Sequence, residues 1–169
     1  MQNNLIHPSA VIEPGARITD DVTVGPFSYI GSEVTLHSRV HIKSNVVVTG
    51  KTEIEEETIV YPFAVIGEIP QDLKFNGEKT SLRIGKRNQI REHVTINTGT
   101  AGGGGLTLIG DDCLFMAGSH VAHDANIGNK VIIANSGAVA GHCIIEDDVI
   151  IGGLSGIHQF VRVGRGAII

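Results

Sequence analysis

Large apolar side chains, almost all of them aliphatic, recur at every sixth position along most of the chain. The series runs without a gap over residues 6–66, returns in the same phase over residues 84–96, and resumes in a new phase over residues 109–169. Four positions after each of these residues, the side chain is nearly always small or β-branched. Glycine often directly follows the aliphatic position, so the hexad is constrained at more than one place.

This six-residue period predicts a parallel β-helix. Each hexad would form one short strand and one corner, with the aliphatic side chain inside the bore and the small residue where the bore narrows. Three hexads complete one coil, so residues 18 apart in sequence should stack at a spacing of about 4.8 Å. An amphipathic α-helix needs apolar residues about every 3.6 positions and a hairpin protein needs alternation, and neither pattern is present. We therefore expect one all-β domain over residues 1–169.

The composition agrees with this architecture and excludes several classes of function. Aromatic residues make up only 4% of the chain and glycine occurs 22 times, as suits a narrow bore with sharp corners. The formal net charge of −5 argues against a general nucleic-acid-binding protein. No apolar run approaches the roughly 20 residues that span a membrane, and the N-terminus lacks the features of a signal peptide. Cys113 and Cys143 fall at the small inward position, so we expect core cysteines in a cytoplasmic protein.

Two segments interrupt the repeat, and each is expected to leave the helix as a loop. The first interruption, residues 67–83, contains proline, lysine and asparagine, which cannot line an apolar bore. Because it spans 18 residues from position 66 to position 84, we expect it to preserve the stacking of the coils. The second interruption, residues 101–108, includes four consecutive glycines but no Lys-Ser/Thr pair of a P-loop, so a flap is the favoured interpretation. Solenoid proteins often carry function on such loops.

The chain stops at Ile169, the first position of a new hexad, with nothing after it to cap the open end of the helix. Solenoids need a polar cap at each end. We therefore expect that a C-terminal part is missing and that residues 1–169 form the β-helical domain alone.

Eight histidines are many for this length, and half of them fall at outward positions where solvation explains them. These four are His7, His37, His41 and His93. The others fall in the hexads that begin at positions 121, 139 and 157, or directly before them. Because these hexads are 18 residues apart, we expect one cluster of histidine side chains on neighbouring coils. Its members are His120, His123, His142 and His158.

The residues alone leave three interpretations of this cluster open. One is a solvated polar face of the helix. A second is a metal site, since three histidines can bind zinc, although Asp124 is the only carboxylate nearby and the histidines spread over about 10 Å. The third fits best and is catalytic. In it, His123 accepts a proton from a hydroxyl group, Asp124 orients the imidazole, and the Gly141 N–H faces a developing oxyanion.

Longer strings in the chain are much more specific than the repeat. The chain resembles the UDP-N-acetylglucosamine 3-O-acyltransferases of lipid A biosynthesis in the strings GEIPQDLKF, IREHVTINTGTAGGGGLT, HVAHDANIGN and AGHCIIEDDVIIGGLSGIHQF, and the similarity covers essentially all of it. The resemblance implies a left-handed parallel β-helix, a homotrimer with active sites between subunits, and a C-terminal helical domain that this chain lacks. It also implies transfer of a hydroxyacyl chain from acyl carrier protein to the 3-position of UDP-N-acetylglucosamine, with no cofactor and no metal.

The same resemblance assigns roles to individual residues. His123 matches the general base, Asp124 its dyad partner, and Gly141 the residue whose N–H donates to the oxyanion. Residues that match contacts to the sugar nucleotide are Gln71, Asp72 and Lys74. Residues that match other substrate contacts, near the acetamido sugar and the acyl chain, are His120, His142, His158 and Gln159. Residues that would suit the acidic acyl carrier protein are Arg162 and Arg165, with two solvated arginines as the equal alternative.

Two other functions compete with this one. The first is a different hexapeptide acyltransferase that uses acetyl-CoA and another acceptor. The second is a non-catalytic β-helix, either a scaffold or a metal-binding protein. The strings VAHD and IHQF disfavour both alternatives.

Overall fold

The computed structural model describes residues 5–169, and over this range the chain forms a three-sided parallel β-helix. Each coil contributes one strand to each of three sheets, and most strands contain only two residues. The strands are β1 (Leu5–Ile6), β2 (Val11–Ile12), β3 (Arg17–Ile18), β4 (Thr23–Val24), β5 (Tyr29–Ile30), β6 (Thr35–Leu36), β7 (His41–Ile42), β8 (Val47–Val48), β9 (Lys51–Ile54), β10 (Ile59–Val60), β11 (Val65–Glu68), β12 (Ser81–Ile84), β13 (Gln89–Ile90), β14 (Thr95–Asn97), β15 (Leu106–Ile109), β16 (Leu114–Phe115), β17 (His120–Val121), β18 (Asn126–Ile127), β19 (Ile132–Ile133), β20 (Ala138–Val139), β21 (Ile144–Ile145), β22 (Ile150–Ile151), β23 (Gly156–Ile157) and β24 (Arg162–Val163).

Every third strand belongs to the same sheet. Sheet A contains β1, β4, β7, β10, β13, β16, β19 and β22; sheet B contains β2, β5, β8, β11, β14, β17, β20 and β23; sheet C contains β3, β6, β9, β12, β15, β18, β21 and β24. All neighbouring strands are parallel, and outside the two interruptions each residue pairs with the residue 18 positions later, as Val24 does with Ile42. The predicted stacking of hexads is therefore confirmed.

The aliphatic residue of each hexad points into the bore, and from Val24 to Val163 it is almost completely buried. The small residue of the hexad lies inside as well, which confirms the expectation that Cys113 and Cys143 are core residues, with 2% and 0% exposure. Both thiols are free. Burial raises the pKa of Cys113 to about 12, because a thiolate is poorly solvated in the bore.

The expectation that the first interruption preserves the stacking is wrong. Ile84 pairs with Ile54 in sheet C, and Ile66 pairs with Ile96 in sheet B, so the step of 18 positions from Ile66 to Ile84 advances the chain by one side and not by one coil. The twelve extra residues (18 − 6) leave the helix between β11 and β12, because their polar side chains have no place in the bore. We call residues 69–80, which lie between these strands, the first loop.

The second interruption lies slightly earlier than expected. Leu106–Ile109 forms β15, so the segment outside the strands is residues 98–105, which we call the second loop. It contains the 3₁₀-helix η1 (Ala101–Gly103), which is the only helix among residues 5–169. Across this loop Thr95 pairs with His120, a step of 25 residues. No helix in the described range is long and apolar enough to cross a membrane.

Both loops leave the β-helix at the same corner, where sheet B passes to sheet C. The first loop follows β11 and the second follows β14, and both strands belong to sheet B. In the next coils, the same turn follows β17, β20 and β23 and contains Asp124, His142 and Phe160. We call this edge the site corner: the two loops together with these later turns. The topology thus places the two interruptions of the repeat directly beside the predicted histidine cluster.

Candidate active site

Three side chains stand in register along the site corner. Asp124, His142 and Phe160 are 18 residues apart, and their φ angles are 57°, 61° and 63°. This left-handed conformation is uncommon for residues other than glycine. At His142 and Phe160 the backbone N–H donates to a carbonyl of the preceding coil, at 3.1 Å and 3.2 Å. The turn therefore aims one side chain per coil along the same edge of the molecule.

His123 and Asp124 form a buried, hydrogen-bonded pair although they are neighbours in sequence. The His123 Nδ1 lies 2.8 Å from the Asp124 Oδ2, and the two side chains are 6% and 1% exposed. Neighbouring residues in a strand point to opposite faces, so the left-handed turn at Asp124 is what lets them meet. A carboxylate only accepts hydrogen bonds, so the His123 Nδ1 is the donor, and in the neutral form of the imidazole Nε2 is an acceptor.

The second loop surrounds the Asp124 carboxylate. The Thr100 N–H donates to both carboxylate oxygens, at 2.9 Å and 3.0 Å, and the Thr100 hydroxyl donates to Oδ2 at 2.6 Å. Burial alone would raise the pKa of Asp124. The hydrogen bonds from Thr100 and the interaction with His123 outweigh that effect and lower the pKa below its ordinary value. Asp124 is therefore an ionised carboxylate at neutral pH, held by donors on more than one side.

Gly141 provides the space in which the His123 imidazole lies. A Cβ atom at position 141 would stand 2.5 Å from the His123 Cε1 and 2.7 Å from Nε2, which is closer than non-bonded heavy atoms approach. Only glycine leaves this room. Within residues 5–169, no backbone hydrogen bond uses the Gly141 N–H as its donor.

A groove of about 490 Å³ lies between the two loops and the later turns of the site corner. The first loop contributes Asp72 and Lys74 to its lining, the second loop contributes residues 100–102, and the later turns contribute His142 and Phe160. Sequence-predicted residues from distant parts of the chain are thus brought to one surface. Gln71 is exposed and lies outside the residues that line this groove.

His142 connects the groove with the dyad. Its ring stacks on the ring of Phe160 with 4.5 Å between centroids, and it meets the ring of His123 edge-on at 4.9 Å. The His142 Nδ1 lies 3.9 Å from the Asp124 carboxylate. His123 itself is not part of the groove wall, and His142 is the side chain that separates the two.

The remaining predicted substrate contacts are distributed along sheet B. The His120 Nδ1 lies 2.7 Å from the hydroxyl of Thr95. Burial lowers the pKa of His120, and the nearby His123 lowers it further. His158 and Gln159 are exposed one coil beyond His142. The structure therefore places His120 against the sheet and leaves the other two open to solvent.

Arg162 and Arg165 are exposed and paired with acidic residues of this chain. Arg162 donates to Glu146, with its Nε 2.8 Å from the carboxylate, and Arg165 lies 2.8 Å from Asp147. The side chains of both arginines are 68% exposed. They form a small surface patch of mixed charge at the end of the described helix.

The four histidines expected at solvated positions divide into two groups. His7, His41 and His93 are exposed, as expected. His37 is partly buried, and its Nε2 lies 2.9 Å from Glu53, so the expectation of simple solvation is wrong there. A neighbouring strand of sheet C supplies this carboxylate, which the spacing of histidines alone does not reveal.

Two groups of side chains have ligand atoms within 4.8 Å of one another, a spacing that a divalent metal ion would accept. One group is His123, Asp124 and His142, and the other is His37, Glu53 and Glu55. In the first group, the carboxylate already accepts hydrogen bonds from Thr100 and His123. A metal ion there would have to replace these bonds.

Sequence reasoning missed two residues of the site, Thr100 and Phe160. Thr100 precedes the glycines of the second loop, and the only signal was the interrupted repeat, which marks a loop but does not show what the loop contacts. Phe160 follows the predicted pair His158–Gln159, and its position 18 residues after His142 was the signal available.

Comparisons with known proteins agree on one relationship. No protein-family model matches the chain. The chain is 51% identical over 164 residues to the acyl-(acyl-carrier-protein)–UDP-N-acetylglucosamine O-acyltransferase of Rhizobium johnstonii, covering 97% of this chain and 60% of the relative. The chain spans between 42% and 63% of the length of the curated relatives it matches.

Solved structures show the same relationship. LpxA from Acinetobacter baumannii is 44% identical with a TM-score of 0.92, covering 98% of this chain and 66% of that one. LpxA from Bacteroides fragilis, described as a UDP-N-acetylglucosamine acyltransferase, is 37% identical with a TM-score of 0.76, covering 98% and 67%. The expected fold class, an all-β left-handed parallel β-helix, is confirmed by such matches.

Proposed function

Since this chain belongs to the family of UDP-N-acetylglucosamine O-acyltransferases, we propose that it is the catalytic β-helix of an enzyme that acylates the 3-position of UDP-N-acetylglucosamine. The donor is a hydroxyacyl chain on acyl carrier protein, and the reaction is the first step of lipid A biosynthesis, in the cytoplasm. The single observation that supports this proposal best is the buried His123–Asp124 dyad, which lies behind His142 next to a groove that Asp72 and Lys74 line.

The chemistry needs little beyond what this corner offers. A thioester is already activated, so the enzyme has to position a sugar hydroxyl, accept its proton and stabilise the oxyanion. The His123 Nε2 accepts the proton of the 3-hydroxyl as that oxygen attacks the thioester carbonyl, and Asp124 stabilises the resulting imidazolium through Nδ1–H. Such a base contributes about 10²–10⁴-fold to a rate. When the intermediate collapses, the proton passes from His123 to the leaving thiolate.

Gly141 supplies the second element of the mechanism. In the proposal its N–H, which donates no backbone hydrogen bond among the described residues, is the donor to the developing oxyanion, a role that contributes about 10²–10³-fold. The requirement for glycine has a separate cause, since any Cβ at this position would collide with His123. One residue therefore serves both the base and the oxyanion.

The first loop is suited to the sugar nucleotide. In the proposal, Lys74 supplies a cation for the diphosphate and Asp72 accepts hydrogen bonds from sugar hydroxyls, with Gln71 at the entrance. His120, His142, His158 and Gln159 extend these contacts along sheet B toward the acetamido group and the acyl chain. Arg162 and Arg165 meet the acidic carrier protein by exchanging their partners Glu146 and Asp147 for carboxylates of the carrier.

The active site is proposed to lie between subunits of a homotrimer. Phe160, which lines the groove, is 71% exposed, and Leu154, at the preceding corner of the same coil, is 86% exposed. Large apolar side chains at such exposure next to a polar groove favour cover by another protein surface. A neighbouring copy would also shield the groove from water.

An acyl-transfer assay with purified protein tests the proposal. UDP-N-acetylglucosamine is offered with hydroxyacyl carrier proteins of several chain lengths, and wild type is compared with His123→Ala. We expect a 3-O-acylated product and a fall of about 10²–10⁴-fold in kcat for the variant. Unchanged circular dichroism would show that the variant is folded, since His123 lies outside the bore.

Two outcomes would redirect the assignment. Turnover with acetyl-CoA but with no carrier-protein thioester would identify a different hexapeptide acyltransferase. Stoichiometric zinc bound through His123 and His142, together with no turnover, would identify a metal-binding β-helix. A normal rate in His123→Ala would remove His123 from the role of base.

A further inference from the structure

We infer that Thr100 is a positioning residue for the His123–Asp124 dyad, held in place by the glycines of the second loop. The inference rests on the proposed function, because it concerns the same site. Thr100 is 6% exposed and contacts the carboxylate through both its backbone and its side chain. No other residue in the described range donates so many hydrogen bonds to Asp124.

The direction of the Thr100 hydroxyl proton is fixed by its surroundings. Thr100 is the N-cap of η1, and the Gly103 N–H donates to the Thr100 Oγ1 at 3.2 Å. Because that oxygen accepts from Gly103, its own proton is directed to the Asp124 Oδ2, 2.6 Å away. The carboxylate oxygen that accepts this hydrogen bond, Oδ2, also accepts the hydrogen bond from His123. Thr100 thus acts on the dyad through the atom that orients the imidazole.

The glycines explain how the backbone comes so close to a carboxylate. A Cβ atom at position 103 would lie 2.1 Å from the Asp124 Cγ, and one at position 99 would lie 2.8 Å from Oδ1. Gly104 and Gly105 have open space around them but adopt φ angles of 99° and 79°, so they serve the return turn of the loop. The expected flap is therefore packed on the dyad at its start, where Gly99 and Gly103 lie directly against the Asp124 carboxylate.

The second loop is in turn tied to the first. The Ala101 N–H donates to the carboxylate of Glu78 at 3.2 Å, and the Thr80 hydroxyl donates to Thr98 at 3.0 Å. The loop that presents Asp72 and Lys74 to the groove is thus bonded to the loop that holds Asp124. Substrate contacts and the dyad therefore share one support, and Thr100, which also lines the groove, acts on turnover through its hydrogen bonds to Asp124.

Kinetics of three variants test this role. Thr100→Val removes the hydroxyl at nearly constant volume and leaves the N–H in place. We expect kcat to fall about tenfold, the loss that corresponds to one hydrogen bond to a charged group, while KM for UDP-N-acetylglucosamine changes less than about threefold. Thr100→Ser keeps the hydroxyl and should restore kcat to within about threefold of wild type.

The matched control is Thr58→Val on a different corner. Thr58 is fully buried, and its hydroxyl donates to the Gly85 carbonyl at 2.9 Å and accepts from the Asn88 N–H at 3.2 Å. This variant should lose stability and keep the wild-type kcat. A similar loss of kcat in Thr58→Val and Thr100→Val would mean that general destabilisation, and not positioning, explains the effect.

A second readout does not depend on catalysis. In protein labelled with ¹⁵N-histidine, we expect the His123 Nδ1–H proton to give a downfield signal that is absent in His123→Gln and is lost or broadened in Thr100→Val. An unchanged signal and unchanged kcat in Thr100→Val would overturn the inference. If wild type turned over no carrier-protein thioester, the proposed function would fail, while the Nδ1–H signal would still decide whether Thr100 orders the pair.

Discussion

The site corner and the corner where sheet C passes to sheet A share one backbone conformation and differ in what their side chains do. At the C-to-A corner, one residue in each coil up to the last adopts a left-handed φ between 55° and 65°. These residues alternate in charge along the edge, which we call the charged corner: Asp21, Arg39, Glu57, Arg87, Asp112, Lys130 and Asp148. The equivalent residues of the site corner are Asp124, His142 and Phe160.

The two corners differ in how far other parts of the chain shield their side chains from solvent. At the charged corner, Arg87 donates to both oxygens of Asp112, at 2.7 Å and 2.8 Å, but the side chains are about 40% exposed or more. Ion pairs in such positions are screened by solvent and contribute little. At the site corner two loops cover the turn, and the Asp124 side chain is 1% exposed. The same turn therefore gives a row of solvated ion pairs at the charged corner and a buried dyad at the site corner, because both loops are inserted at the site corner.

The largest expected difference between the two corners is the loss of activity when one glycine of each is replaced by alanine. Gly141→Ala should lower kcat by about 100-fold, because the new Cβ would displace the His123 imidazole from the position in which it contacts Gly141. Gly164→Ala at the charged corner is the matched control, since a Cβ there would meet no atom within 4 Å. Steady-state rates of the two variants decide the matter. Equal activity would show that the close approach to His123 does not constrain the reaction.

The repeat predicted the parallel β-helix because it constrains every coil. Residues such as Val24 and Ile42 have the same environment, so one spacing rule places them all. The rule failed at Ile84, which stacks on Ile54 instead of Ile66, because an insertion of twelve residues has no periodic content and its length can imitate two hexads. The stacking of the histidine hexads pointed to His123 and Asp124, and the resemblance gave them the same roles; the geometry of the left-handed turn explains why neighbours in sequence can pair.

The loops show where sequence reasoning stops. Their polar and glycine-rich composition marks a departure from the bore, but the contacts they make depend on which corner they leave and how far they fold back. Thr100 meets Asp124 because the second loop returns over the next coil, and no local pattern contains that information. The sequence predicted a flap here, and the structure instead shows backbone packed against a carboxylate.

A buried amide beneath the charged corner is expected to matter more than the ion pairs above it. Asn88 is fully buried, its Nδ2 donates to Gly110 at 2.9 Å, and its Oδ1 accepts from Cys113 at 2.8 Å. Asn88→Ala leaves both backbone partners unpaired in the bore and should lower the free energy of unfolding by about 3 kcal/mol, measured by urea denaturation. Turnover of the folded variant should be unchanged.

The control for this variant is a buried polar residue that, unlike Asn88, has no hydrogen-bond partner for its side chain. The Ser119 Oγ is buried and has no hydrogen-bond partner among the described residues. Ser119→Ala should therefore leave the unfolding midpoint the same or slightly higher, because it removes an unpaired hydroxyl from the bore. Equal destabilisation by the two substitutions would show that loss of side-chain volume, and not loss of hydrogen bonds, governs this part of the core.

The smallest effect is expected for the ion pairs of the charged corner themselves. The hydrogen bond from Arg87 lowers the pKa of Asp112. Because the folded-state pKa is depressed, the stabilisation is present above the ordinary carboxyl pKa of about 3.9 and is lost as the pH falls through the lower folded value. Arg87→Ala should change the melting temperature at pH 7 by less than about 2 °C. It should also lose stability slightly less steeply between about pH 5 and pH 3.

Thermal melts at low and high salt would complete this test, because a screened surface pair loses its small contribution as the ionic strength rises. Wild type and Arg87→Ala should therefore converge in high salt. A loss at pH 7 as large as that of Asn88→Ala would contradict the comparison, since it would mean that the exposed ion pairs carry the structural role we assign to the bore beneath them. In that case, the alternating charges would be required for the stability of the left-handed turns.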